Sequence, residues 1–152
     1  MALPGILGAF ANHTFLKELH DRHLMKLAQG ASPFSKKQGE YLTRAGSKSA
    51  GLFLIQSGKV EIDIQRSETE HLVLQTLGPG EIVGWSWSVP PYQSHFDTRV
   101  IEDVSGILLE GNWLRSQCDV DHELGYFLLR QTIAVLSSRA IATRTQLLGN
   151  LK

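Results

Sequence analysis

Apolar positions along this chain change period twice. Between residues 12 and 29 they recur every three or four places (Phe15, Leu16 and Leu19, then Leu24, Met25, Leu27 and Ala28), the spacing of a helix face. Asp21 interrupts the run and can cap a second short helix, because its carboxylate accepts bonds from exposed amides; Gly30 closes the segment. From 31 to 109 the period falls towards two. Val60-Glu61-Ile62-Asp63-Ile64-Gln65 alternates strictly, and it follows Leu52-Phe53-Leu54-Ile55 across Gln56-Ser57-Gly58-Lys59, which reads as a glycine-bearing hairpin turn. Weaker strands are predicted at 32–35, 41–43, 72–77, 98–102 and 106–109, with the polar run Arg66-Ser67-Glu68-Thr69-Glu70 as a solvated hairpin tip. After Leu109 the pattern turns helical again. A short helix at 112–117 precedes a long one from about His122 to Leu148, capped by Asp119 or Asp121. Free of proline, that helix would be roughly 40 Å long, longer than a small barrel is wide.

Short strands at this spacing, separated by turn residues, argue for a jelly roll rather than an α/β sheet. The predicted fold is therefore mainly β with flanking α: a double-stranded β-helix (jelly-roll) barrel at 31–109, N-terminal helices at 12–30 and C-terminal helices at 110–150. Residues 12–150 form a single domain in this reading, and 1–11 a loose or docked N-terminal tail. The long helix is apolar on nearly every side up to Leu136, whereas a helix lying on one barrel needs a single stripe. One stripe holds Tyr126, Leu129, Ile133, Leu136, Ala140 and Leu147; another, spaced by sevens, holds Phe127, Ala134, Ile141 and Leu148. Seven-residue spacing marks a helix that meets a partner helix. A parallel homodimer through this segment is the prediction, against the competing reading of a helix buried within one chain.

Length and charge narrow the class. A chain of 152 residues can bury one real core but not two ordinary ones. Its 15 basic and 15 acidic side chains cancel, so no global field draws it to nucleic acid or an anionic membrane. Arg130, Arg139, Arg144 and Lys152 follow Glu123 with no further acid, which complements the dipole of a helix C-terminus. Cys118 stands alone, which excludes an internal disulfide and fits a reducing cytoplasm. The apolar opening is far short of the ~20 residues that cross a bilayer and lacks a basic flank, so neither anchor nor signal peptide is expected. His20 and His23 stand three apart but lack further ligands, and are read as solvated. His71 and His95 are isolated, with no His-x-His pair, so a cupin-like metal enzyme is not expected.

The candidate chemistry sits between strands, in Gly78-Pro79-Gly80-Glu81-Ile82-Val83-Gly84-Trp85-Ser86-Trp87, then Pro90-Pro91-Tyr92, then His95-Phe96-Asp97-Thr98-Arg99-Val100. Glycine and proline set unusual backbone angles there, and a compact connection in an all-β body is where binding sites tend to lie. Trp85, Trp87 and Tyr92 either stack on a planar ligand or plug the pocket; plugging is the commoner fate of clustered aromatics.

The order of parts resembles a cyclic-nucleotide-binding domain, and most closely the sensor half of the Crp/Fnr family of bacterial regulators. The resemblance covers nearly the whole chain and rests on Gly51-Leu52-Phe53-Leu54-Ile55-Gln56-Ser57-Gly58-Lys59-Val60, on Gly78-Pro79-Gly80-Glu81-Ile82, and on the helix ending near Thr143-Arg144-Thr145-Gln146-Leu147-Leu148. It implies a non-catalytic regulatory domain whose ligand is a cyclic nucleotide or another small molecule. It further implies a site at Gly80, Glu81 and Ile82, at His95, Phe96, Asp97, Thr98 and Arg99, and at Thr143 and Arg144 on the long helix, with Glu81 matching the residue that takes the ribose hydroxyl. Members that bind the phosphate do so with an arginine beside a small residue. Here His95 and the bulky Phe96 stand in those places, and strand alternation points Arg99 to the face opposite Thr98. Losing an arginine from a buried anion pair costs on the order of 3–5 kcal/mol. Weak or absent binding of cyclic AMP and cyclic GMP is therefore expected, unless Arg99 or Arg144 substitutes. Glu81 and the residues around Thr98 are expected to line one shared hollow. The alternative function is a ligand-free protein–protein interaction or dimerisation module. The resemblance places a helix-turn-helix after the long helix, beyond Lys152, so the expected partners are a second copy and a downstream protein, not DNA.

Overall fold

The computed structural model describes residues 3–150. Its spine is a pair of long antiparallel strands, β3 (Gly51–Gln65) and β6 (Asp97–Glu110), paired from Gly51 opposite Glu110 to Asp63 opposite Asp97. β1 (Ala31–Lys36) adds to the outer edge of β6 and β4 (His71–Leu77) to β3, giving the order β1-β6-β3-β4. The short β2 (Tyr41–Thr43) pairs with β6, and β5 (Ile82–Val83) with β3. Helices α1 (Leu3–Asn12), α2 (Asp21–Ala28), α3 (Gly111–Val120) and α4 (His122–Asn150) flank this antiparallel sheet.

The run Gly51 to Ile55 is buried at every position because both faces of β3 are covered. Leu52 and Leu54 pack on the helical side with Phe10, Leu16, Leu27, Leu114 and Leu124. Phe53 and Ile55 pack inside the sheet with Val60, Leu77, Val83, Val100 and Val104. Side chains that alternate across a strand thereby feed two cores.

The expected hairpin at 56–59 and the expected break between two weaker strands at 98–109 are both continuous strand instead. The segment 56–59 is a kink within β3, and 98–102 and 106–109 join as β6. Register against β6 slips between Ile55 and Val60, as a bulged strand does. Gly58 has φ +89°, and a Cβ there would lie 2.2 Å from the Asp103 carbonyl oxygen. Glycine here lets two bent strands cross closely, and no chain reversal follows because both halves of β3 pair with the same partner. The true reversal is the polar tip, where Arg66 N–H donates to the Glu70 carbonyl at 2.9 Å. A second slip, between Ile62 and Asp63 against β4, breaks the predicted alternation: Asp63 is buried and Ile64 is 41 % exposed.

Of the expected tail, Met1 and Ala2 lie outside the described residues, and the remainder is α1, docked through Ile6 and Phe10. Asp121, rather than Asp119, caps α4, its carboxylate accepting the Leu124 N–H at 3.1 Å. Leu124, Leu128 and Thr132 turn α4 onto the body. Three glutamines then strap it down: Gln131 donates to the Phe15 carbonyl (3.2 Å), Gln75 to the Arg139 carbonyl (2.9 Å) and Gln146 to the Val73 carbonyl (3.4 Å). The stripe spaced by sevens divides, since a straight helix drifts ~20° per heptad. Phe127 packs inward beside the His23 ring (5.9 Å between centroids), whereas Ile141 and Leu148 are exposed with Tyr126, Leu129 and Ile133. Among the described residues no helix is long and apolar enough to cross a membrane.

Candidate functional site

The Gly78–Glu81 turn is built from its own residues. Gly80 holds φ +87° and donates its N–H to the Ile55 carbonyl at 3.0 Å, while the Glu81 carbonyl accepts from Ile55 N–H at the same distance. The exposed Glu81 carboxylate accepts the Gly78 N–H at 2.7 Å, so it closes the turn that carries it. Beneath the turn lies His13, 5 % exposed. Phe15 N–H donates to its Nδ1 at 3.2 Å, which leaves Nε2 to carry the proton and donate to the Ile55 carbonyl, also at 3.2 Å. Burial holds the His13 imidazole below its ordinary pKa, against the opposing pull of the Ile55 and Glu81 backbone.

Beyond β5 the chain makes a single 3₁₀ turn, Ser86–Ser88, between two aromatic fixtures. Trp85 stacks on His95, with ring centroids 4.9 Å apart and planes 16° off parallel. Trp87 is 2 % exposed and belongs to the helical core, so it anchors the loop rather than facing a ligand. Arg115 of α3 donates to the Trp87 carbonyl at 2.7 Å and lays its guanidinium over the Tyr92 ring, 3.8 Å from the centroid. Tyr92 is thus committed to an internal cation–π contact.

Along β6 the side chains separate by face. Thr98 is 2 % exposed and lies 2.8 Å from the Thr43 hydroxyl. Arg99 takes the opposite face, within 3.3 Å of Glu61 and 3.8 Å of Asp63, and burial pushes the Asp63 carboxyl above the usual carboxylate range. Asp97 accepts the Ala45 N–H at 2.9 Å. Neither Asp97 nor Arg99 points into a hollow that holds Glu81.

Three hollows meet around one residue absent from the expected site, Arg139 of α4. Gly80, Glu81 and Ile82 line the first, about 350 Å³, with Thr14, Gln131, Ala134 and Ser138. His95, Phe96 and Thr98 line the second, only about 30 Å³, with Trp85 and Ile62. Thr143 and Arg144 line the third, an apolar groove of about 490 Å³ between α4 and the sheet. Arg139 borders all three and its guanidinium donates to the Ile82 carbonyl. Desolvation lowers its pKa while the nearby Glu81 charge opposes that. Glu81 and Thr98 therefore do not share a hollow, because this side chain wedges between them. Its signal was present in the sequence: Leu124, Leu128, Thr132, Val135 and Arg139 continue one inward stripe at helical spacing. His13 and Arg115 left no comparable trace.

Among the described residues no three His, Cys, Asp or Glu side chains gather to hold a metal ion. His20 is exposed, but His23, expected in solvent, is fully buried beside Phe127.

The fold thus combines an antiparallel sheet with a Gly-Glu-Ile turn, a compact cassette and a long helix packed along it. The family model for the cyclic nucleotide-binding domain matches residues 33–121, more than half of the chain, and the protein belongs to that family. Among solved structures, a cyclic nucleotide-binding domain from Methylobacillus flagellatus aligns with TM-score 0.79 and 15% identity over 97% of this chain and 83% of its own. The N-terminal domain of a transcriptional regulator from Streptomyces coelicolor A3(2) aligns with TM-score 0.68 and 21% identity, covering 88% of this chain and 94% of that one. The regulatory subunit of a cAMP-independent protein kinase A from Trypanosoma brucei aligns with TM-score 0.72 and 18% identity over 99% of this chain and 52% of its own. At these identities the likeness is one of fold. No curated protein matches the chain.

Proposed function

We propose that this chain is a non-catalytic, ligand-responsive regulatory domain of the Crp/Fnr sensor type. Its sheet is the jelly roll of that family, and it works in the cytoplasm as a homodimer paired through α4. In this reading its cassette has given up the recognition of a cyclic phosphodiester. One observation carries this: the cassette hollow between His95, Phe96 and Thr98 is about 30 Å³, enough for a single water and far too small for a phosphate with its ribose. A buried phosphodiester also needs a guanidinium fork and free backbone amides. The Glu81 carboxylate is engaged by Gly78, and the Arg99 guanidinium faces Glu61 on the other side of the strand. The likeness in fold to the regulatory subunit of a cAMP-independent protein kinase A is consistent with this reading.

Signalling would run through α4. A ligand that displaces Arg139 from Ile82 releases one of the helix's ties to the cassette, so the two arrangements differ in energy at the ligand's own contact. Calorimetric titration with cyclic AMP and cyclic GMP tests the altered recognition. The expected result is no saturable heat below the millimolar range; a micromolar dissociation constant for either would contradict it. The filled cassette also favours a second reading, a ligand-free interaction module. A thermal-shift panel of small metabolites that moves the melting temperature with no member separates the two, in favour of the second.

A further inference from the structure

The groove between α4 and the sheet, about 490 Å³, is larger than the hollows that hold Glu81 and Thr98. Its volume lies within the ~300–1,000 Å³ typical of small-molecule sites. Leu74, Trp85 and Phe96 form its sheet wall, and Leu136, Ala140 and Leu147 its helix wall. Polar side chains on the lining are few: Gln75, Arg139, Thr143 and Arg144, with no acid among them. The Gln75 amide is already used on the Arg139 carbonyl. Among the described residues, ion pairs engage Arg22, Arg44 and Arg99, while none reaches Arg139 or Arg144. Arg139 is half-buried and makes one hydrogen bond through a guanidinium that offers five N–H groups. Glu81, the acid whose charge acts on Arg139, lies in the neighbouring hollow and makes no ion pair with it. A partly desolvated cation with no direct ion pair, at the edge of an apolar slot that carries no acid, is completed by an anion attached to an apolar body.

We propose that this groove binds a small apolar monoacid, a ring or short chain bearing one carboxylate, with the carboxylate on Arg139 and the body between Trp85 and Leu136. The site gives the ligand class for the ligand-responsive reading above and rests on it. A nucleotide suits these walls poorly, since its base and sugar would leave many donors and acceptors facing leucine and aromatic rings. The monoacid touches α4 directly, so its arrival competes with the Ile82 carbonyl for the same guanidinium.

The test is calorimetry with 1-naphthoate and decanoate, each beside its neutral twin, 1-naphthylmethanol and decanol. At least one acid is expected to bind saturably and about tenfold or more tightly than its twin. Arg139→Gln is expected to erase that preference, Arg139→Lys to keep part of it, and Leu136→Trp to abolish binding by filling the slot, with unchanged circular dichroism in each. Equal binding of acid and alcohol, a preference that survives in Arg139→Gln, or no saturable binding of either acid overturns the proposal. So does binding that appears only in an Ile133→Glu variant, which would mean that a second copy covers the groove. If both acids fail but another ligand shifts the melting temperature and ignores Leu136→Trp, this site is wrong and the regulatory reading stands. If the whole thermal-shift panel is flat as well, both fall.

Discussion

Two hydrogen bonds specify one tautomer of His13 and burial favours its neutral form, while the bond to Ile55 ties the segment after α1 to the strand beneath the Gly-Glu-Ile turn. Its folded pKa is lowered by burial, so above the unfolded value of ~6.5 both states are neutral and no pH dependence arises. As pH falls through that value the unfolded chain takes a proton that the folded one resists, and stability is lost. His23, lowered chiefly by burial and then by the Arg22 charge, acts in the same direction. Thermal unfolding between pH 7.5 and 5 should therefore show a falling melting temperature, with a shallower slope in His13→Gln; an unchanged slope would contradict the assignment. Gly58→Ala forces a Cβ against the Asp103 carbonyl at a positive φ, and should cost ~2–3 kcal/mol in denaturant unfolding. A loss below about 0.5 kcal/mol would mean that the strands do not cross there as described. At this scale the sequence was half legible. The Leu52–Ile55 strand followed from its apolar run and the placing of Arg99 on the face opposite Thr98 from alternation, whereas His13, a histidine in a polar-looking turn, is defined by contacts 42 residues away.

Between elements, the cassette is fastened on two sides, to α3 through Arg115 and to α4 through Arg139. Arg115→Ala removes a hydrogen bond to the Trp87 carbonyl and a cation–π contact with Tyr92, together ~1–2 kcal/mol. Amide hydrogen exchange should quicken across residues 85–92 while β3 and β6 stay protected; uniform acceleration would mean a general loss of stability instead. β1, β2, β4 and both C-terminal helices could be read from periodicity. The long strands could not, because Gly58 has the chemistry of a turn and of a bulge alike. Only the partner decides: a hairpin folds a strand onto its neighbour, whereas here both halves of β3 lie along β6. The shared hollow failed for a related reason. Spacing along the chain put Glu81 and Thr98 on opposite ends of one cassette, but said nothing of a third element inserting Arg139 between them.

Across the whole molecule, α4 presents one face to the body and another to solvent. Tyr126 (61 % exposed), Ile133 (65 %) and Ile141 (53 %) lie on the open face, an arrangement that a lone surface helix does not need. Light scattering at tens of micromolar should give the mass of a dimer for the wild type and of a monomer for Ile133→Glu; a monomeric wild type would remove the helix pairing from the proposal. The family's architecture and the aromatic bulk of its cassette at Trp85 and Phe96 were visible in the residue pattern, while the stacking of His95 on Trp85 and the insertion of Arg139 emerged only from three-dimensional packing. The closed cassette is best probed by amide hydrogen exchange across residues 78–98 with and without millimolar cyclic AMP. No change in protection at Gly80, Glu81, Ile82 or Thr98 is predicted, whereas cooperative slowing of exchange at both ends of that segment would show a nucleotide seated where these side chains leave no room.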